Sequence, residues 1–102
     1  MNLNSLSEIA NYIVSDGKGI LAADESNPTC TKRFDSIGVT STEENRRDYR
    51  ELLFRADGMK GNIGGVILFD ETIRQDSADG RSLVDIITSQ GALAGIKVDK
   101  GL

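Results

Sequence analysis

Between Ser5 and Val14 the apolar residues Leu6, Ile9, Ala10, Ile13 and Val14 recur at helical spacing, and Ser5 with Glu8 three residues later makes a capping-box signal. The pattern predicts a first amphipathic helix that stops at Asp16-Gly17, because glycine takes the left-handed conformation that ends a helix. Four consecutive apolar residues, Ile20-Leu21-Ala22-Ala23, then predict a buried strand that runs into Asp24, Glu25 and Ser26. Ser26-Asn27-Pro28 predicts a turn into a short helical stretch, with Pro28 in the first turn, where a missing N–H costs nothing. Cys30, Phe34 and Ile37 supply its apolar side. A second capping box, Ser41 with Glu44, opens a charged helix from about Glu43 to Arg55. Its narrow stripe is Tyr49, Leu52 and Leu53, and the rest of it is expected to be solvated.

Gly58, Gly61, Gly64 and Gly65 mark a loop before a second apolar run, Val66-Ile67-Leu68-Phe69, which ends in Asp70-Glu71-Thr72. Asp76 to Gly80 is a turn. Leu83, Ile86 and Ile87 describe a further helix, with Ser82 as its cap and Gly91 closing it. The last strand expected is Ala94 to Lys100, where Lys97 and Asp99 alternate with Ile96 and Val98 and so share one strand face. Strands alternating with helices predict parallel units in which helices cover the strands. Chemistry in such folds gathers at the C-terminal strand ends, which would bring Asp24, Glu71, Lys97 and Asp99 to one rim.

Composition narrows the chemistry. The 102 residues hold 16 Asp plus Glu against 12 Lys plus Arg, one Cys and no His. Without histidine no Ser-His-Asp triad and no His-bearing zinc site can be completed within the chain, and one cysteine makes no internal disulfide. A net charge of −4 argues against a nucleic-acid or anionic-membrane partner. No apolar run approaches the roughly 18 to 20 residues of a membrane span, and no signal-peptide pattern opens the chain, so the cytoplasm is the expected compartment. Asp76 to Gly80 lacks the ligand pattern of a calcium loop, Gly17-Lys18-Gly19 lacks that of a phosphate-binding loop, and no metal is expected.

Each candidate residue has an ordinary reading beside the functional one. Asp24-Glu25-Ser26 is a helix-capping turn or a strand-end site. Asp70-Glu71-Thr72 reads best as a helix start, where an acidic side chain is worth about 0.3 to 1 kcal/mol. Arg33, Arg46 and Arg47 read by spacing alone as solvated charges near Glu43 and Glu44. Lys97, within an apolar strand, must snorkel out or face a cavity that uses its charge. Cys30 reads as a small buried side chain and enters no candidate site.

The segments Gly17-Lys18-Gly19-Ile20-Leu21-Ala22-Ala23-Asp24-Glu25-Ser26, Thr42-Glu43-Glu44-Asn45-Arg46-Arg47, Gly65-Val66-Ile67-Leu68-Phe69 and Gly95-Ile96-Lys97-Val98-Asp99-Lys100-Gly101 closely resemble class I fructose-bisphosphate aldolase, in that family's order and spacing. The resemblance implies an α/β fold: the N-terminal three β/α units of a TIM (β/α)8 barrel, incomplete as given, with residues 1–102 forming part of a single domain. It implies reversible cleavage of fructose 1,6-bisphosphate to dihydroxyacetone phosphate and glyceraldehyde 3-phosphate in glycolysis and gluconeogenesis, with no metal or other cofactor. The reaction runs through a lysine Schiff base whose iminium withdraws electrons from the breaking carbon–carbon bond.

That covalent lysine lies on a later strand of the family barrel, so this chain alone is expected to be inactive. By position in the motifs, Asp24 and Lys97 are implied as catalytic. Ser26, Thr29, Arg33 and Arg46 are implied in binding substrate, with hydroxyls and guanidinium forks suited to phosphate. The implied partners are a sugar phosphate and, in the full-length protein, further copies forming a homo-oligomer, a tetramer. A non-catalytic truncated product with a phosphate-binding or assembly role is the alternative.

Overall fold

The helix starts follow from the side chains that cap them. In the computed structural model, which describes residues 3–99, the Ser5 hydroxyl accepts the Glu8 N–H at 3.1 Å, and α1 runs Leu6–Ile13. Gly17, at φ +77°, turns the chain into β1 (Gly19–Leu21), and Pro28 sits in the first turn of α2 (Asn27–Asp35). α3 (Glu43–Phe54) is capped by Thr42, which accepts the Asn45 N–H at 3.0 Å. The expected cap at Ser41 is thus displaced by one residue. Ser41 instead accepts hydrogen bonds from Thr31 (2.8 Å) and Arg46 (3.1 Å), which hold it outside the helix. β2 (Ile63–Leu68) leads into α4 (Asp70–Ile73); α5 (Leu83–Ser89) begins at Ser82 as expected, and β3 (Leu93–Ile96) follows Gly91 at φ +89°.

The strands form one parallel sheet in the order β1-β2-β3, with Leu21 opposite Val66 and Leu68 opposite Ile96. The strands expected at Ile20–Ala23, Val66–Phe69 and Ala94–Lys100 all run out earlier at their C-terminal ends. One cause is visible between β1 and β2: the N–H of Phe69 bonds to the Asp24 carboxylate at 2.8 Å, so a side chain takes a donor that could serve a ladder. Lys97 and Asp99 therefore stand just past β3 and not on a strand face, although the Lys97 N–H still reaches the Leu68 carbonyl at 2.9 Å. Lys100, the last residue of the expected strand, lies outside the described residues.

One face of the sheet carries the core. Val66 and Leu68 of β2 are buried with Phe54 of α3, Leu83, Ile86 and Ile87 of α5, and Met59 and Ala92. On β1 the expectation of a buried strand is corrected, since Ile20 is 54 % exposed. Ile20 and Ile67 line a shallow groove with Ile9 and Ile13 of α1. α1 crosses β2 so closely that a Cβ on Gly64 would collide with the carbonyl group of Ile13, only 2.6 Å from its carbon. The Tyr12 hydroxyl fixes the crossing by donating to the Gly91 carbonyl at 2.6 Å.

α3 corrects the sequence pattern most clearly. Leu52 is 76 % exposed, whereas the buried residues of the helix are Arg50 and Phe54, one turn apart. Apolar periodicity reports the cheapest face to bury, and it misses a face whose burial is carried by a fully bonded arginine.

The Gly64 crossing is testable. In the protein that carries this chain, Gly64→Ala is expected to lower unfolding free energy in urea by about 2 kcal/mol or more, because backbone must move. Gly58→Ala, with nothing near its added methyl, is expected to stay within about 0.5 kcal/mol.

Candidate active site

Arg46 and Arg50 are four residues apart on α3 and therefore project from one side of it. Arg50 is 2 % exposed, and its five N–H donors meet five acceptors. Nε donates to Asp24 Oδ1 at 3.0 Å. Nη1 donates to Glu71 Oε1 at 2.7 Å and Gln75 Oε1 at 3.0 Å; Nη2 donates to the Glu25 carbonyl at 3.0 Å and Asn27 Oδ1 at 3.1 Å. The guanidinium also stands 5.8 Å from the centre of the Phe69 ring. A single side chain thus joins the ends of β1 and β2 to the starts of α2 and α4.

Glu71 is the second hub. It takes a bidentate pair from Arg46, Nε to Oε1 at 2.8 Å and Nη2 to Oε2 at 2.9 Å, and Asn27 Nδ2 donates to Oε2 at 3.2 Å. The Arg46 hydrogen bonds, with those of Arg50, hold its carboxyl down at about 2 although partial burial works against them. As a helix start, Glu71 matches the sequence reading; as the carboxylate that neutralises two arginines, it exceeds it. Asp24 contrasts with it. Its side chain is fully buried, and that burial raises its pKa in spite of the Phe69 N–H, the neighbouring Thr72 hydroxyl and Arg50.

The other expected site residues lie around this cluster. Ser26 and Thr29 meet at the start of α2, with their hydroxyl oxygens 3.1 Å apart. Arg33 points outward, 65 % exposed, and its Nε pairs with the Glu25 carboxylate at 3.1 Å. Tyr49 donates to the same carboxylate at 3.0 Å. Lys97 pairs with Asp99 at 2.5 Å beyond β3, one-third exposed. Arg46, expected to bind substrate, has its guanidinium bonded to Glu71 and Ser41. Cys30 is fully buried, as expected, and burial pushes its thiol up.

Arg50 and Gln75 are the members that sequence reasoning missed. The available signal was the line Arg46, Arg50, Phe54 at successive turns of α3, a basic face ending in an aromatic. Among the described residues no three His, Cys, Asp or Glu side chains gather as a metal site. Ser26 and Thr29 instead offer two hydroxyls at the start of α2, Arg33 an outward guanidinium on the same helix, and Lys97 a cation just past β3.

The cluster carries a pH signature. Glu71 favours the folded state fully above its ordinary value of 4.5, and this contribution drains away as pH falls towards 2, in all about 3 kcal/mol at about 1.4 kcal/mol per unit. Asp24 acts with the opposite sign, weakening the fold as pH rises from 3.8 through its raised value. Glu71→Gln is therefore expected to flatten the loss of stability between pH 4.5 and 2, read from urea midpoints. An unchanged slope would exclude the Glu71 pairs as its source.

Comparison with known proteins bears on this site. A family model described as fructose-bisphosphate aldolase class-I matches residues 5–102. The chain is 57 % identical over 97 residues to fructose-bisphosphate aldolase 1, chloroplastic, of Chlamydomonas reinhardtii, covering 95 % of this chain and 26 % of that protein. It is 55 % identical over 100 residues to the Drosophila melanogaster fructose-bisphosphate aldolase, covering 97 % and 28 %. Among solved structures, a Plasmodium falciparum fructose-bisphosphate aldolase, crystallised with TRAP and a small-molecule inhibitor, superposes with a TM-score of 0.86 at 48 % identity over 95 % of this chain and 28 % of that one. The chain thus spans between a quarter and a third of the length of these relatives, and its three parallel strands with their helices are part of the barrel architecture they share. A match running over nearly every residue, on a fold that superposes this well, establishes that the chain belongs to the class-I fructose-bisphosphate aldolase family.

Proposed function

We propose that the protein carrying this chain cleaves fructose 1,6-bisphosphate reversibly, through a lysine Schiff base contributed by a later strand, and that this chain supplies part of the substrate rim. The observation that carries the reading is the placement of Asp24 and Lys97 just past the C-terminal ends of β1 and β3, within a chain that belongs to the aldolase family. Barrel enzymes of this kind hold their reacting groups at that end.

In this reading Ser26, Thr29 and Lys97 hold a substrate phosphate by two hydroxyls and a point charge, and Arg33 reaches it from α2. Arg46, held on α3 by Glu71, offers a further guanidinium to the substrate. Asp24 handles charge and protons next to the cationic intermediate, where a carboxylate is stabilised in its ionised form. The residues of this chain carry no covalent step by themselves. Cytoplasmic glycolysis is the proposed setting, among relatives named both cytosolic and chloroplastic, and the buried free thiol of Cys30 suits a reducing compartment. A homotetramer is the proposed assembly.

Borohydride reduction of the protein carrying this sequence in the presence of dihydroxyacetone phosphate is expected to trap one adduct per subunit, read by intact mass. Absence of an adduct, with turnover abolished by a chelator, would sink the Schiff-base reading. Lys97→Ala is expected to lower kcat/KM for the bisphosphate by about 10- to 100-fold, mainly through KM, as befits loss of a charged hydrogen bond worth about 1.5 to 3 kcal/mol.

A further inference from the structure

Arg50 belongs to none of the groups that would touch substrate, yet it has the most complete set of hydrogen bonds in the cluster. Its five donors reach β1's end, the first turn of α2, α4 and the segment after α4, and almost none of it is exposed. The Asp24 carboxylate is held at both oxygens: Oδ1 by Arg50 Nε at 3.0 Å and Oδ2 by the Phe69 N–H at 2.8 Å. The Phe69 bond fixes the carboxylate to the sheet, and the Arg50 bond then fixes its rotation. A carboxylate with only the first bond could swing about its own side-chain axis. With both, it has one orientation.

We infer that Arg50 is a positioning residue for the proposed cleavage, acting through Asp24, whose carboxylate it holds in a single orientation at the strand ends. The inference rests on the aldolase reading above and on Asp24 having the role given it there. It assigns Arg50 no contact with substrate. An arginine is required because the task is spread over a planar fork: one edge binds Asp24, while the other donors anchor the fork to Glu71, Gln75, the Glu25 carbonyl and the Asn27 side-chain oxygen. A lysine could supply the charge without the fork.

The charged and titratable groups around Asp24 are Arg50 and Arg46 from α3, Glu71 from α4, Glu25 beside it and Cys30 from α2. Of these only Arg50 both bonds Asp24 and carries positive charge, so its removal leaves Asp24 beside two other carboxylates. The acidic limb of the kcat profile, where Asp24 takes up a proton, is then expected to move to higher pH. A lysine in its place is expected to hold the limb near its original position while kcat stays low, which separates charge from orientation.

The test is a double-mutant cycle in the full-length protein. Asp24→Asn and Arg50→Gln are each expected to lower kcat about 100-fold with KM within about twofold, and the double variant is expected to be no slower than Asp24→Asn alone. Multiplying losses, or a rise in KM equal to the fall in kcat, would overturn the inference, because Arg50 would then act independently of Asp24 or on binding. If Arg50→Gln does not fold, Arg50→Lys keeps the buried charge and carries the same cycle, with the same two outcomes. Wild-type turnover and adduct trapping are measured alongside. Their absence removes the aldolase reading itself, whereas full wild-type activity with multiplying losses removes only the role of Arg50.

Discussion

The guanidinium of Arg50 is the point at which four elements meet. It lies buried against Asp24 and Glu71, and Arg46 completes a set of two cations and two anions whose formal charges cancel. Taking such ions out of water costs several kcal/mol for each, and their attraction offsets that cost only when the geometry is good and the remaining donors are bonded. Both conditions are met at Arg50. Removing one partner of a buried pair typically costs about 3 to 5 kcal/mol, because the charge left behind has no water to turn to. The ends of β1 and β2 and the starts of α2 and α4 are therefore fixed relative to one another by electrostatics more than by apolar contact, and the hydrophobic core lies lower, among Phe54, Leu68, Leu83 and Ile87.

This division places chemistry and stability in different parts of one small sheet. Below, β2 is flanked by helices on one side and crossed by α1 on the other, at a glycine that leaves no room for a side chain. Above, the strands end early, and side chains take over from the ladder: Asp24 receives the Phe69 N–H, and Lys97 folds onto Asp99. Asp24, bonded at both carboxylate oxygens, is thereby held in place, which is what a site with demanding geometry needs. The opposed titration of Glu71, held low, and Asp24, pushed up, follows from the same arrangement: Glu71 has two arginines and some water, while Asp24 has one arginine and none.

Much of this was legible along the chain. The capping serines at Ser5 and Ser82, the glycine stops at Gly17 and Gly91, the order of strands and helices and the charged strand ends are local features, each set by a side chain within a few residues of where it acts. The motifs around Asp24, Arg46 and Lys97 carried the family resemblance for the same reason. What local pattern misjudged was α3. Tyr49, Leu52 and Leu53 have the spacing of a buried stripe, but the helix turns Leu52 to solvent and Arg50 inward.

The sequence by itself determined where each helix starts to within a residue, which strand ends carry charge and which family the motifs resemble, because capping, glycine conformation and apolar periodicity are decided by neighbours in the chain. Tertiary structure alone decided which charges are paired at the strand ends. Arg50 meets Asp24 across 26 positions and Glu71 across 21, and only the packing of α3 over the parallel strands brings those groups within 3 Å. A buried arginine looks in the sequence like a solvated one; what distinguishes it is the set of acceptors that the fold assembles around it.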